Sequence, residues 1–145
     1  KADKKKVNVD WVQADAQQLP FADDSFNVVS IAFGIRNVEN VELAIQECHR
    51  VLKEGGRLVV LEFFPIPNPV WRFLFRLYFL RVLPVIAAVV RAGRTGAYTY
   101  LPESVDAFYT ASAFAKLLTS NGLQLLSDTA LTGGVSRLFV AVKIS

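Results

Sequence analysis

Phe26 to Phe64 reads FNVVSIAFGIRNVENVELAIQECHRVLKEGGRLVVLEFF, and the periodicities inside it decide the fold. Phe26–Phe33 is an almost unbroken apolar run rich in β-branched residues, the pattern of a strand covered on both faces in a parallel sheet. Gly34 ends it. Val41, Ala44, Ile45, Cys48 and Leu52 then recur at helical spacing, with Glu42, Gln46, Glu47 and His49 between them, so Asn40–Lys53 is expected as an amphipathic helix. Asn40 can cap its first turn, and Gly55-Gly56 can supply a positive-φ exit. Arg57–Phe64, RLVVLEFF, reads as a second buried strand. Strand, helix and strand at this spacing form a crossover unit with parallel strands.

Toward the N-terminus, Val7–Val12 alternates apolar and polar and reads as a further strand, followed at once by Asp15. A polar loop then runs through Leu19-Pro20-Phe21 to a turn at Ala22–Ser25. Toward the C-terminus, Ser112–Asn121 carries Phe114, Leu117 and Leu118 on one face and is expected as a short helix, with Gly122 just past its end. Leu123–Leu131 and Leu138–Ile144 alternate as strands, with Gly133-Gly134 between them, and so short a link makes the pair antiparallel. The expectation is an α/β fold: a partial, mostly parallel sheet that ends in an antiparallel hairpin.

Between these halves lies the most apolar part of the chain. Pro65, Pro67 and Pro69 lead into Val70–Val90, VWRFLFRLYFLRVLPVIAAVV, about the 20 residues that a membrane span needs. A span is rejected because three arginines inside it would each cost about 2.5–3.5 kcal/mol at a helix centre, and Pro84 would break the helix. Two shorter helices meeting at Pro84 fit better, giving an inserted apolar helical lid over 65–104. No acidic residue separates Glu62 from Glu103, whereas Arg72, Arg76, Arg81, Arg91 and Arg94 all fall in that gap. The net charge of +3 therefore belongs to the lid, since the rest of the chain sums to −2. Core packing with arginine heads reaching solvent and contact with anionic lipid or a greasy ligand are both open readings. Nucleic acid is excluded because the basic residues are diluted among aliphatic ones.

The whole is expected to be one domain over 1–145: 145 residues suit a single core, and 52% hydrophobic content with a mean hydropathy of +0.33 excludes disorder. One cysteine, Cys48, and one histidine, His49, exclude a disulfide and a structural metal. They point to opposite sides of their helix and form no dyad. The sequence has no methionine, so a processed or N-terminally incomplete chain is expected. There is no GxSxG, Walker or GxGxxG motif. In open α/β sheets ligands sit beyond the carboxyl ends of the strands, which singles out Asp15 and Gly34-Ile35-Arg36-Asn37. Asp15 is either a turn former or a ligand group, and Glu62 is either an ion-pair partner or a site acid.

DAQQLPFADDSFNVVSIAFGIRNVEN from Asp15, RVLKEGGRLVVLEF from Arg50, YLPESV from Tyr100 and LTGG from Leu131 carry a family likeness. The chain resembles the class I S-adenosylmethionine-dependent methyltransferases, and within them the ubiquinone/menaquinone biosynthesis C-methyltransferase family. FGIRN, LEF and YLPES are the particular segments; the Asp-Ala and Lys-x-Gly-Gly patterns are shared by many methyltransferases. The likeness covers only the C-terminal part of that Rossmann-like fold, beginning at its third strand, so this fragment alone is expected to be inactive.

The resemblance implies S-adenosylmethionine as cofactor and C-methylation of a polyprenylated benzoquinol or of demethylmenaquinol. It implies that Asp15 accepts from the adenine amine, that Ala16 offers its backbone amide, and that Ala32 gives backbone contact only, where many relatives have a serine. Arg36 and Asn37 would be catalytic, and Tyr98 and Tyr100 would line the ring pocket. Peripheral membrane contact is implied, at the matrix side of the mitochondrial inner membrane or on a bacterial cytoplasmic membrane. A homodimer, a quinone-biosynthesis complex, a non-catalytic lipid- or partner-binding remnant and another small apolar acceptor stay open. The segment GVSRLFVAVK departs from the family pattern after Gly-Gly, and Glu54 stands where relatives often have proline.

Overall fold

The computed structural model describes residues 9–78, 81 and 103–144. Its elements are β1 (Phe26–Ala32), α1 (Val41–Val51), β2 (Leu52–Phe63), α2 (Pro69–Leu77), α3 (Ala111–Ser120), β3 (Leu123–Leu131) and β4 (Ser136–Lys143). Short 3-10 turns occupy Ile35–Asn37 and Thr132–Gly134, and one helical turn spans 103–107. The strands form a mixed sheet in the order β1-β2-β4-β3, in which β1 and β2 are parallel and both pairs made by β4 are antiparallel. The crossover unit and the terminal hairpin are thus both present.

Burial follows the two periodicities. Leu58, Val60, Glu62 and Phe64 alternate along β2 and are buried, facing Phe139 and Ala141 of β4. Ile45 and Cys48 of α1 and Phe114 and Leu118 of α3 pack on this same core. Asn40 caps α1 as expected, its side chain accepting from the Leu43 amide, and Thr110 does the same for α3 through Ala113.

Several expectations are corrected. Residues 9–12 form no strand and leave Trp11 91% exposed, because β1 pairs with β2 alone and no described strand lies alongside the segment. β1 is parallel but not covered on both faces: among the described strands it is an edge of the sheet, and Val28 is 56% exposed. The helix ends at Val51, not Lys53. Leu52 is fully buried and already paired with Phe26, so the chain leaves the helix in extended conformation. Gly55, at φ +72°, instead serves the irregularity within β2, where the partner shifts from Leu52 to Arg57. The last strand runs Ser136–Lys143 rather than from Leu138 to Ile144, since Ser136 pairs with both Phe63 and Leu131. Of the apolar lid, α2 is described; Pro84, Tyr98 and Tyr100 lie outside the described residues.

Two predictions arise from the seam between α1 and α3. Gly122 sits at φ +77°, and a Cβ there would lie 2.8 Å from His49 Nε2. Gly122→Ala should lose about 1–2 kcal/mol to the left-handed backbone alone, more with the clash, and His49→Ala should relieve only the clash. Urea midpoints of the two single variants and the double variant separate these contributions.

Burial, together with the Lys143 charge, lowers the His49 pKa against the opposing pull of Asp24. A lowered histidine pKa means that the unfolded chain binds the proton more readily. Stability is therefore lost as pH falls through the unfolded value of about 6.5. The urea midpoint should drop between about pH 7.5 and 5.5, and His49→Gln should flatten that drop.

Candidate active site

Two loops meet at the carboxyl end of β1. The first carries Asp15, whose Oδ1 accepts from the Gln17 backbone amide at 2.9 Å and from Gln17 Nε2 at 3.2 Å. The Oε1 of Gln17 in turn accepts from the Asn40 amide at 3.0 Å. Asn40 begins α1 and lines the same cleft as Arg36. Asp15 and Arg36, expected together from the sequence, therefore lie at one end of the sheet. Farther along, Arg50 ties the loop to α1 by donating to the carbonyls of Phe21 and Leu19 and to Asp23 and Glu47. The Arg50 guanidinium holds the Glu47 carboxyl below its ordinary range, against the opposing effect of burial.

The second loop follows β1 directly. Phe33 leaves the strand at φ +53°, a conformation uncommon for any non-glycine residue. Its amide still donates to the Leu61 carbonyl at 2.8 Å, while its own carbonyl accepts from Arg36 Nη1 at 3.3 Å. Arg36 stands in the 3-10 turn, its side chain only 8% exposed, and forms an ion pair with the fully buried Glu62 through Nη1 and Oε1. The other Glu62 oxygen accepts from the Arg36 backbone amide at 3.4 Å, and Oε1 also accepts from the Phe63 amide at 2.8 Å. Arg36 Nε donates to Ser104 Oγ at 3.4 Å. The guanidinium carbon lies 5.5 Å from the centre of the Phe63 ring, which packs on Phe33 at 4.7 Å.

Arg36 opens onto a cleft of about 310 Å³, lined with Val38, Asn40, Ser104, Phe108 and Tyr109. Phe63 is a wall of a second cleft, of about 460 Å³, whose lining is almost wholly apolar and includes Trp71, Leu74, Phe75, Tyr78 and Val135. A Cβ on Gly133 would come within 3.0 Å of Trp71 Nε1, so α2 docks on the β3–β4 turn at that residue. The Phe63 ring under the Arg36 guanidinium thus also borders a greasy recess.

The sequence reading placed Asp15, Arg36 and Asn37 just after strands; Ala32 ends β1 and Arg36 and Asn37 follow it, whereas Asp15 and Ala16 lie in a loop with no described strand before them. Ala32 is the exposed last residue of β1, and Asn37 is exposed at the end of the 3-10 turn. Reasoning from sequence left Glu62 undecided and missed Ser104, Gln17 and the Phe33–Phe63 pair. Cys48 is no nucleophile: burial, with Glu47 alongside, pushes its thiol up to about 11, so it stays protonated. Among the described residues no group of His, Cys, Asp and Glu could hold a metal ion.

A parallel β-α-β unit that runs on into an antiparallel hairpin, with ligand-facing loops at the strand ends, is the class I methyltransferase fold. It superposes on the SAM-dependent methyltransferase of Aquifex aeolicus with a TM-score of 0.62 at 14% identity, covering 94% of this chain and 56% of that one. The [4+2]-cyclase SpnF matches as well, with a TM-score of 0.65 at 15% identity over 93% of this chain and 56% of its own, so the fold alone does not name a reaction.

Sequence narrows it further. The chain belongs to the ubiE/COQ5 methyltransferase family, which it matches over residues 1–143. It is 44% identical over 140 residues to the demethylmenaquinone methyltransferase of Thermus thermophilus, covering 97% of this chain and 63% of the relative. It is 40% identical over 139 residues to the mitochondrial 2-methoxy-6-polyprenyl-1,4-benzoquinol methylase of Pongo abelii, covering 96% of this chain and 42% of that protein. The chain thus spans between about two fifths and two thirds of the length of these relatives. Family membership implies S-adenosylmethionine as methyl donor.

Proposed function

We propose that this chain carries the acceptor site and the adenine end of the cofactor site of a quinol C-methyltransferase. The observation that carries the reading is the guanidinium of Arg36, held just past the end of β1 beside a cleft that Asn40 also lines, with Asn40 bonded to Gln17 and Gln17 to Asp15. The residues present fit the adenine end of S-adenosylmethionine: Asp15 is exposed, its acceptors are engaged among the described residues by Gln17, and Ala16 adjoins it. They would hold the purine amine and ring nitrogen, with Ala32 contributing backbone. No glycine-rich loop is among these residues to hold the methionine end. When bound, the cofactor supplies an electrophilic methyl group.

The chain's own residues must make a ring carbon of the acceptor electron-rich. Arginine stays protonated in proteins and is no base. Arg36 therefore stabilises the phenolate that forms when the phenolic proton passes to water, and Asn37 orients that water or a ring oxygen. The Phe33–Phe63 wall beside Arg36 suits a flat aromatic acceptor, and the apolar cleft behind Phe63 suits the start of an isoprenoid tail.

A tailed quinol is drawn from a bilayer, and α2 offers the contact. It leaves Val70, Phe73, Leu74 and Leu77 exposed beside Arg72 and Arg76. No helix among the described residues is long and apolar enough to cross a membrane. Relatives of mitochondrial and bacterial origin fit either compartment for this chain, and peripheral attachment to a quinone-bearing membrane there is part of the same reading.

Calorimetric titration with S-adenosylmethionine should show binding by this chain once it is joined to the preceding residues of the Thermus relative, and far weaker binding by the 145 residues alone. The joined protein should then methylate demethylmenaquinol or a polyprenylated benzoquinol. Failure to bind the cofactor in either form would overturn the reading. Phe73→Ser with Arg72→Gln should weaken flotation with anionic liposomes, and unchanged flotation would remove the membrane contact from it.

A further inference from the structure

Three segments distant in sequence converge on one guanidinium: Arg36 comes from FGIRN, Glu62 from LEF and Ser104 from YLPES. Glu62 is anomalous in its row. Leu58, Val60 and Phe64 occupy the same buried face of β2, and a carboxylate among them is costly to bury unless it does something specific. We propose that Glu62, together with Ser104, is a positioning residue that fixes the Arg36 guanidinium for the acceptor; this rests on the quinol-methylation reading.

Geometry excludes the rival role for Glu62. A general acid or base must reach the substrate proton directly or through one water. Glu62 is fully buried, and its oxygens are already engaged by Arg36 Nη1, the Arg36 amide and the Phe63 amide. What it controls is direction. Nη1 is occupied by Glu62 and the Phe33 carbonyl, Nε by Ser104, and the flat face lies over Phe63. Nη2 has no hydrogen-bond partner among the described residues and is the donor left for an acceptor oxygen. The left-handed conformation of Phe33 belongs to the same device, because it presents the carbonyl that Nη1 meets.

The test uses the complete gene product with S-adenosylmethionine and a quinol acceptor. Glu62→Gln keeps the shape but removes the charge, and should lower kcat by about 100-fold, as expected for small misplacement of a catalytic group. KM for the cofactor should stay within about twofold, because Asp15 and Ala16 do not touch Glu62. Glu62→Asp should recover about tenfold of the loss, and Ser104→Ala should lower kcat several-fold while leaving the fold intact. Wild-type kcat in Glu62→Gln, or a lost limb of the pH profile in place of a lowered plateau, would overturn the proposal. If Glu62→Gln fails to fold, Ser104→Ala and Glu62→Asp decide the matter by the same measure.

A second readout needs no turnover. The Arg36 Nε–H resonance in a ¹⁵N spectrum should exchange slowly in the wild type and move to the position of a free arginine in Glu62→Gln and Ser104→Ala. An unmoved resonance would overturn the positioning role. Should the wild-type protein transfer no methyl group, the proposed function falls and this resonance alone decides the role of Glu62.

Discussion

Replacing Arg36 by methionine should cost the fold about 3–5 kcal/mol, because the change strands the Glu62 carboxylate in the core without its counter-charge. Glu62 is fully buried, the Arg36 side chain is 8% exposed, and the pair is therefore little screened by solvent. Its remaining hydrogen bond would come from the Phe63 amide, with the Arg36 backbone amide at the longer 3.4 Å. The reciprocal change, Glu62→Leu, should be comparably damaging, since it leaves a guanidinium against apolar neighbours. The double variant Arg36→Met with Glu62→Leu should recover most of the loss, because apolar replacement of a whole buried pair is often neutral or stabilising. Urea midpoints of the four proteins form a thermodynamic cycle. Additive single effects would show that the two groups do not interact, and the site described here would lose its anchor.

That buried pair also shows where reading the sequence stops. Local patterns carried much of the fold: helical spacing from Val41 to Leu52 reports the buried face of α1, whereas the alternation from Leu123 to Leu131 gave the strand but not its burial, since only Leu123 is buried there. What lay beyond reach was pairing across the chain. Leu52 looks like the end of a helix, but its burial and its pairing with Phe26 make it the start of a strand. Val7–Val12 looks like a strand, yet alternation cannot supply a neighbour, and residues 9–12 find none among the described elements.

The site follows the same division. Arg36 and Asn37 could be singled out because they follow the end of β1, a position that the local pattern reveals, whereas Asp15 was singled out from a strand that residues 9–12 do not form. Glu62 could be seen only as an ambiguity, a charge in an apolar strand, since its meaning depends on a residue 26 positions away. Ser104, 68 positions from Arg36, gave no local sign at all. The distinctive segments FGIRN, LEF and YLPES were themselves the available clue, because three unrelated segments with particular sequences are most simply explained by a shared contact.

The second large effect is expected in the aromatic core on which this end of the sheet rests. Phe64 at the end of β2, Phe114 on α3 and Phe139 on β4 are all fully buried, with ring centres 5.1 to 5.4 Å apart, and Phe108 adjoins Phe64 at 5.4 Å. Edge-on and tilted packing of this kind adds to the hydrophobic gain from burial. Phe139→Ala removes the ring from the strand that pairs on both sides, with β2 and with β3, so the surroundings have little freedom to close the cavity. The expected loss is about 3–5 kcal/mol, a large part of the roughly 5–15 kcal/mol that holds an ordinary domain together. Phe139→Leu should cost much less, because most of the volume is kept. Phe64 directly follows Phe63, the ring beneath Arg36, so Phe139→Ala should also loosen the end of β2. Hydrogen exchange of the Phe63 amide, the donor to Glu62, should therefore accelerate in Phe139→Ala by more than the global loss of stability requires. Equal acceleration throughout the sheet would instead mean that the aromatic cluster supports the fold without any particular bearing on the site.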